Sequence, residues 1–209
     1  SVFSAGNASV CPGSSGRIGR AIAEELAAEG ASVVVNYHAN AAAADEVVNG
    51  IVERGGTAIA LQADVSDFAA AERLIKTAID TYGAIDILVN NAGTIRRAPA
   101  AEHPDAFWDE VLAANLHAPW ILSRELGCGM VARRSGKIIF TASLLSFQGG
   151  ITVPGYAASK GALAQLTKAL ANEWASHGVQ VNAIAPGYIN TDNTAALRAN
   201  PERNSAILA

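Results

Sequence analysis

A tyrosine and a lysine four residues apart are the side chains in this sequence best suited to proton transfer. Tyr156 and Lys160 begin a predicted helix over 155–177. One face of that helix, at spacings of four and three, carries Tyr156, Lys160, Leu163, Thr167, Leu170 and Trp174. Because leucine and tryptophan mark this face as buried, we expect Lys160 to lie on the core side. An ammonium group near a phenol lowers the pKa of the phenol, so Tyr156 would exchange a proton near neutral pH. The pattern leaves an alternative open, in which Lys160 extends along the surface and Tyr156 only closes a cleft.

Three other polar sites have positions that suit a ligand. Asn115 interrupts an apolar helical stripe formed by Phe107, Val111, Ala114, Ala118 and Leu122. A buried amide needs partners, so Asn115 either satisfies neighbouring backbone or organises a polar site. Ser143 directly follows the fifth predicted strand, and the run 90–93 (NNAG) ends the fourth. Ligands of open parallel sheets bind beyond the carboxyl ends of the strands, where Ser143 and the run 90–93 are expected.

A glycine-rich turn, 13–19 (GSSGRIG), separates the first predicted strand from the first helix. The start of a helix offers unpaired backbone N–H groups and a positive dipole end, which bind phosphate. Glycine allows close approach of the backbone to that phosphate. In a doubly wound sheet the first strand–helix unit is where dinucleotides bind, so the turn indicates a dinucleotide site.

Alternating strand and helix patterns predict the elements that position these residues. The predicted strands cover 8–11, 31–36, 57–62, 85–89, 137–141 and 179–185. The predicted helices cover 17–29, an alanine-rich stretch ending near 55, 67–82, one or two helices within 103–134, and 155–177. This alternation predicts an α/β fold with a single doubly wound, Rossmann-like parallel sheet and helices on both faces. No linker divides the chain, so 1–209 is expected to be one dinucleotide-binding catalytic domain.

The composition excludes several classes of protein. The 209 residues are 50% hydrophobic with a formal net charge of −4, which favours a compact core and argues against a nucleic-acid partner. Cys11 and Cys128 form neither a disulfide framework nor a metal-binding spacing, so no metal is expected. The sequence carries no membrane-spanning apolar run and no basic leader. We therefore expect a soluble cytoplasmic protein with no membrane partner.

In combination, these motifs resemble the short-chain dehydrogenase/reductase family. The resemblance extends from Gly6 to the last residue. It rests on the glycine turn, Asp64, the run 90–93, Asn115, Ser143, the run 156–160 (YAASK) and Pro186-Gly187. The stretches 90–97, 143–154 and 185–196 are similar to the sugar-acid dehydrogenases of this family that act on deoxygluconate and ketodeoxygluconate.

The resemblance implies roles for four catalytic residues. Tyr156 would be the general acid/base, and Lys160 would lower its pKa and bind the nicotinamide ribose. Ser143 would polarise the substrate carbonyl, and Asn115 would anchor a water in a proton relay. The substrate would be a small molecule, bound by Arg96, Arg97, Ser143, Gln148, Tyr156 and Asn193. In this assignment an arginine binds a carboxylate and the amides bind hydroxyls; alternatively, both arginines are solvated surface residues.

The cofactor implied by the resemblance is NADP or NAD. The expected contacts are Gly13, Ser15, Gly16, Arg17, Ile18, Gly19, Tyr37, Asp64, Val65, Asn91, Ala92, Gly93, Tyr156, Lys160, Pro186, Gly187, Ile189 and Thr191. We favour NADP because 35–38 (VNYH) ends the second strand without the carboxylate that binds the ribose of NAD. Arg17 would add positive charge near a 2′-phosphate.

Two departures from the family pattern bear on cofactor affinity and assembly. Pro12 replaces the usual threonine, and Arg17 takes the place of the middle glycine. The sequence stops at Ala209, before the helix and final strand that family members carry, so we expect an open sheet edge in what is part of a longer protein. The resemblance also implies a homotetramer built partly on 107–130 and 156–174. Two other functions stay open: a 3-oxoacyl-thioester reductase and a cofactor-binding protein without turnover.

Overall fold

A six-stranded, wholly parallel sheet forms the centre of the molecule. The computed structural model describes residues 7–13, 16–189, 194, 199–202 and 205. The strands are β1 (Ala8–Pro12), β2 (Ser32–Tyr37), β3 (Thr57–Gln62), β4 (Ile87–Asn90), β5 (Gly136–Thr141) and β6 (Val179–Ile184). Their spatial order is β3-β2-β1-β4-β5-β6. The predicted doubly wound α/β fold is confirmed.

Helices cover both faces of the sheet. They are α1 (Arg17–Ala28), α2 (Ala41–Glu53), α3 (Phe68–Tyr82), α4 (Asp105–Leu112), α5 (Ala118–Arg133), α6 (Leu145–Gln148) and α7 (Pro154–Trp174). Short 3₁₀ helices cover Ala100–Glu102 and Ala175–His177, and a π-helical turn covers Ala113–His117. One core cluster joins the sheet to α1 and α2, and a second joins it to α3, α5 and α7.

The continuous apolar runs of the strands supply both cores at once. Val33 and Val35 of β2 pack with α1 and α2, whereas Val34 between them packs into the opposite cluster. Successive side chains of a strand alternate between the two faces, so a strand buried on both faces must be apolar throughout. This alternation is why the strand patterns in the sequence are uninterrupted.

The strand order reverses beside β1 and fixes the place of a binding crevice. β1 pairs with β2 on one side and with β4 on the other. The connections leave β1 and β4 toward opposite faces, so a gap opens beyond the carboxyl ends of these strands. The glycine turn after β1 and the polar run after β4 both lie at this gap.

The helices agree with the prediction in one region and include an unpredicted helix in another. The region 103–134 divides into α4 and α5, joined without a loop by the π-helical turn. The four-residue helix α6 lies between β5 and α7, where no helix was predicted. None of the helices in the described parts of the chain is long and apolar enough to cross a membrane.

Candidate active site

The glycine turn lies directly against the loop that follows β4. Gly13 has φ +75°, and a Cβ there would come within 2.8 Å of the Cα of Ala92, so only glycine fits without a shift. The side-chain Nδ2 of Asn91 donates to the Gly13 carbonyl oxygen at 3.2 Å, and Thr141 Oγ1 donates to Asn91 Oδ1 at 3.4 Å. Asn91 therefore connects the ends of β1, β4 and β5.

Helix α1 begins at the crevice with its first turn uncapped by any described side chain. Gly16 is the N-cap residue, with an extended backbone, and its Cβ position would meet only the Gly13 carbonyl oxygen, at 3.6 Å. Arg17 is the first helical residue and is exposed. The backbone N–H groups and the positive end of the helix dipole thus face the crevice, an arrangement that suits a pyrophosphate group.

Asn115 lies in the π-helical turn and is completely buried. Its Oδ1 accepts the Thr94 N–H at 2.8 Å, and its Nδ2 donates to the Thr94 carbonyl at 2.9 Å and to Ser159 Oγ at 3.2 Å. A Cβ on Gly93 would lie 3.0 Å from Asn115 Oδ1 and 3.7 Å from Lys160 Nζ. Asn115 therefore satisfies neighbouring backbone, as the first interpretation from the sequence predicts, and its Oδ1 lies close to Gly93. Single-turn π-helices occur often at functional sites.

Lys160 is buried, with 4% of its surface exposed. Its Nζ donates to the Thr141 carbonyl oxygen at 2.5 Å and lies 5.6 Å from the centre of the Tyr156 ring. Burial lowers the pKa of Lys160 to about 8, because the charged form loses its hydration. The lysine faces the core as the helical spacing predicts, and the alternative of a surface lysine is wrong.

Burial raises the pKa of Tyr156 above its usual value, which is opposite to the direction expected from the sequence. The neighbouring Ser143 side chain and the positive charge of Arg97 act to lower this pKa but do not offset the loss of hydration. Lys160 Nζ bonds to the Thr141 carbonyl oxygen and lies 5.6 Å from the centre of the Tyr156 ring.

Ser143 lies at the end of β5 with its hydroxyl already positioned by backbone. Its Oγ accepts the Leu145 N–H at 3.1 Å, at the start of α6. The same side chain also bonds to Tyr156, and both residues line the crevice, where the two hydroxyls would face a carbonyl oxygen. The site thus holds two hydroxyl groups and a buried lysine at one strand edge.

A cleft of about 350 Å³ brings most of the predicted cofactor residues together. Those lining it are Gly13, Gly16, Arg17, Ile18, Asn91, Ala92, Gly93, Tyr156, Lys160, Pro186, Gly187 and Ile189. Gly19 is buried within α1 and lies outside the lining. Ser15, Thr191 and Asn193, also predicted to bind cofactor or substrate, fall outside the described residues.

The predicted adenosine contacts lie at the ends of β2 and β3, beyond the cleft lining. Asp64 is 3.8 Å from His38 Nε2 and accepts the Ser66 hydroxyl at 2.6 Å. Burial acts to raise the pKa of Asp64, but the bonds from Ser66 and the charge of His38 outweigh it and lower the pKa. Tyr37 ends β2 half-buried, and Val65 is buried beside Asp64.

The side chain of Asn36, near the end of β2, faces β3. Its Nδ2 donates to the carbonyl oxygens of Leu61 and Ala63, both at 3.1 Å. It is 2% exposed. The end of β2 therefore presents no carboxylate that would repel a 2′-phosphate.

The two adjacent arginines have different surroundings. Arg96 makes two hydrogen bonds of 2.7 Å to Glu110 and lies 5.7 Å from the centre of the Phe107 ring. Arg97 lines a cavity of about 80 Å³ with Ser143 and Tyr156. Gln148 is exposed at the end of α6 and lines neither this cavity nor the cleft.

The structure adds residues that sequence reasoning missed. Thr141, Ala142 and Thr194 also line the cleft, and Ser146 and Ser159 bond to the catalytic segments. Thr141 ends β5 and Ala142 follows it, so the rule that placed Ser143 at the crevice also applies to them. Serines inside a helix or a short turn carry no comparable signal.

The described residues fit a dinucleotide and do not suggest a metal. Gly13, packed against Ala92, and the uncapped start of α1 form a backbone cradle that a side chain at Gly13 would fill. Within the described ranges, no group of three or more His, Cys, Asp or Glu side chains is placed to hold a metal ion. The cradle therefore suits a nucleotide cofactor.

Comparisons with known proteins agree with this geometry. The family model described as short chain dehydrogenase matches residues 7–202. A 2-dehydro-3-deoxy-D-gluconate 5-dehydrogenase of Pseudoalteromonas atlantica is 58% identical over 191 residues, covering 91% of this chain and 75% of the relative.

Two solved structures are also similar over nearly the whole chain. A putative NAD(P)-dependent gluconate 5-dehydrogenase from Beutenbergia cavernae, with NADP bound at low occupancy, is 49% identical with a TM-score of 0.91, covering 97% of this chain and 80% of that one. A gluconate 5-dehydrogenase from Burkholderia cenocepacia, in complex with NADP and tartrate, is 34% identical with a TM-score of 0.90, covering 97% and 79%.

Proposed function

The chain belongs to the short-chain dehydrogenase family, and on that premise we propose that it interconverts a hydroxyl group and a ketone on a sugar acid. It is an NAD(P)-dependent oxidoreductase, and the relatives named above act on 2-dehydro-3-deoxygluconate or gluconate. The observation that carries the proposal is Arg97, which shares one small cavity with Tyr156 and Ser143. A guanidinium in the same cavity as the reacting hydroxyls suits the carboxylate of a sugar acid.

The residues of the site divide the chemistry between them. The nicotinamide cofactor supplies or accepts the hydride when it is bound. Ser143 donates a hydrogen bond to the substrate oxygen, and Tyr156 gives a proton to that oxygen or takes one from it. Lys160, whose Nζ lies 5.6 Å from the centre of the Tyr156 ring, would bind the nicotinamide ribose. Asn115 holds the loop after β4 in place through Thr94.

NADP is the cofactor that the adenosine end of the site favours. Asn36 is turned toward β3, and no carboxylate ends β2. Arg17 is exposed at the start of α1 and lines the cleft, where a guanidinium can pair with phosphate.

We propose the assembly and the location on the same family assignment. One dinucleotide-binding catalytic domain acts as a cytoplasmic homotetramer, built partly on the helices within 107–130 and 156–174. The exposed rings of Trp108 on α4 and Trp120 on α5 support an interface there, since large aromatic side chains are enriched at interfaces.

Turnover with alternative substrates tests the proposal. Wild-type protein is assayed with 2-dehydro-3-deoxygluconate and a 3-oxoacyl thioester in the reducing direction, and with gluconate in the oxidising direction, each with both cofactors. We expect the highest kcat/KM for a sugar acid with the NADP couple. A higher kcat/KM for the thioester would contradict the substrate class, and a clear NAD preference would contradict the cofactor.

A phenylalanine at Tyr156 tests the chemistry itself. Tyr156→Phe removes only the hydroxyl, so turnover should fall at least ~100-fold while thermal unfolding stays near that of the wild type. Tyr82→Phe is the matched control, because the Tyr82 hydroxyl is buried outside the site. Activity of Tyr156→Phe within a few-fold of the wild type would contradict the assignment of Tyr156 as the acid/base. Turnover would then not depend on the Tyr156 hydroxyl.

A further inference from the structure

The hydroxyl of Ser146 connects two parts of the active site that come from different elements. Its Oγ accepts the backbone N–H of Ser143 at 3.2 Å and donates to the backbone carbonyl of Lys160 at 2.8 Å. Ser143 follows β5, whereas Lys160 lies in α7. One side chain therefore bonds to the backbone of both residues.

Part of this arrangement is local to the turn at the start of α6. Ser143 Oγ accepts the Leu145 N–H, and Ser146 Oγ accepts the Ser143 N–H. The Ser146 N–H also donates to the Ser143 carbonyl at 2.9 Å. These bonds fix the Ser143 hydroxyl relative to its own backbone.

The bond to Lys160 reaches outside this turn. It spans 14 residues of sequence and ties the turn to the helix that carries Tyr156. Ser146 is only half-buried, and its hydroxyl has no need of a partner in the core. The local turn would require only the Ser143 bond, so the second bond indicates a function in the relative placement of the two segments.

We propose that Ser146 is a positioning residue whose hydroxyl sets the separation between Ser143 and Tyr156. This inference rests on the proposed function, in which both hydroxyls bond to one substrate oxygen. Two hydroxyls can serve the same oxygen only when each lies within hydrogen-bond distance of it. A displacement of about 1 Å in such a geometry can lower the rate about 100-fold.

Ser146→Ala removes the acceptor for Ser143 and the donor to Lys160 without adding volume. We expect kcat to fall about tenfold or more, while KM for NADPH stays near the wild-type value, because Gly13 and α1 are untouched. The basic limb of the kcat/KM profile should move to higher pH. Ser143 acts to lower the pKa of Tyr156, and this effect weakens when the two side chains separate.

Two variants serve as controls. Ser146→Thr keeps the hydroxyl and should retain activity within a few-fold together with the wild-type pH profile. Thr167→Val removes another hydroxyl from α7, one that donates to the Leu163 carbonyl at 2.7 Å, and should leave the kinetics unchanged. If the kinetics responded to the loss of any hydroxyl bond in α7, Thr167→Val would lose activity as well.

Hydrogen exchange in the substrate-free protein tests the contact without any assumption about the reaction. Ser146→Ala should speed exchange in the segment 142–149, since the Ser143 N–H loses its partner, and Ser146→Thr should not. If the wild type turns over the thioester rather than the sugar acid, the proposed function fails, and the same kinetic comparison is made with the thioester. Turnover of neither substrate class would end both proposals.

Three results would overturn the role of Ser146. The first is an unchanged kcat and pH profile in Ser146→Ala. The second is an equal loss in Ser146→Thr and Ser146→Ala. The third is loss of cooperative unfolding in Ser146→Ala, because the hydroxyl would then serve the fold as a whole.

Discussion

Arg96 and Arg97 are adjacent in sequence, but Arg96 pairs with Glu110 whereas Arg97 lines the cavity beside Tyr156. Arg97→Ala should raise KM for the sugar acid about 10-fold to 100-fold, the loss expected for one charge-assisted hydrogen bond. Arg96→Ala should change KM little, because Arg96 is paired with Glu110 on the surface. Steady-state kinetics on both variants measures the difference, and equal effects would remove the carboxylate assignment from Arg97.

The same substitution has a consequence for pH. The charge of Arg97 acts to lower the pKa of Tyr156, so Arg97→Ala should raise that pKa further. Alcohol oxidation needs the ionised tyrosine, and its pH profile should therefore shift to higher pH in Arg97→Ala. The Arg96→Ala profile is the internal reference, and a shift of the same size in both variants would contradict this account.

Lys160 should reduce the stability of the cofactor-free protein at neutral pH. Its folded pKa of about 8 lies below the usual 10.5, so between these values the unfolded chain holds a proton that the folded chain has released. Wild-type stability therefore rises with pH across this window. At pH 7 the cost of the buried charge is about 3 kcal/mol.

Lys160→Met tests this cost directly. The variant should be more stable than the wild type at pH 7, and its advantage should shrink by about 2 kcal/mol at pH 9.5. Urea unfolding at both pH values gives the two differences. Lys168→Met, at an exposed position of the same helix, is the control, and an advantage of Lys160→Met that does not change with pH would refute the argument.

The glycine turn leaves no room for a side chain at Gly13. Gly13→Ala places a side chain at φ +75° and 2.8 Å from the Cα of Ala92, so we expect a loss of at least about 2 kcal/mol in stability and a higher KM for cofactor. Gly16→Ala meets only an ordinary contact of 3.6 Å at a negative φ and should unfold like the wild type. Thermal unfolding of both variants decides, and equal stability would show that the turn tolerates a side chain at Gly13.

The elements were predictable to the extent that they carry a repeating pattern. The apolar runs of β2 and β5 and the periodic faces of α3 and α7 are visible in the sequence, because burial on both faces or on one face dictates them. Helix α6 is four residues long and has no period to detect. The π-helical turn differs from an α-helix only in its backbone bonds, and these leave no mark on residue types.

The candidate site was predictable where topology decides, and less so where side chains interact. Ser143 and Asn91 lie at the crevice because parallel strands end there. The direction of the Tyr156 pKa was not predictable, since it depends on burial outweighing nearby charges. That Arg96 would pair with Glu110, 14 residues away, requires knowing how the loop after β4 meets α4.

At the scale of the whole molecule, the exposed aromatic rings predict association. Wild-type protein should sediment as a tetramer, and Trp120→Arg should shift it toward smaller species, because a charge at an apolar interface lacks a partner. Val52→Arg alters an exposed apolar residue on α2, across the sheet, and should leave the assembly unchanged. A monomeric wild type, or a tetramer insensitive to Trp120→Arg, would contradict the assignment.

Asn115 offers Thr94 one acceptor and one donor, as the peptide group of a neighbouring strand would. The loop after β4 is thus held by an imitation of main-chain pairing, supplied by one side chain of a helical turn. Such mimicry depends on a planar amide of fixed reach. Aspartate has the shape but lacks the donor, and glutamine has both groups but places them one methylene too far. Neither aspartate nor glutamine can therefore replace asparagine at this position.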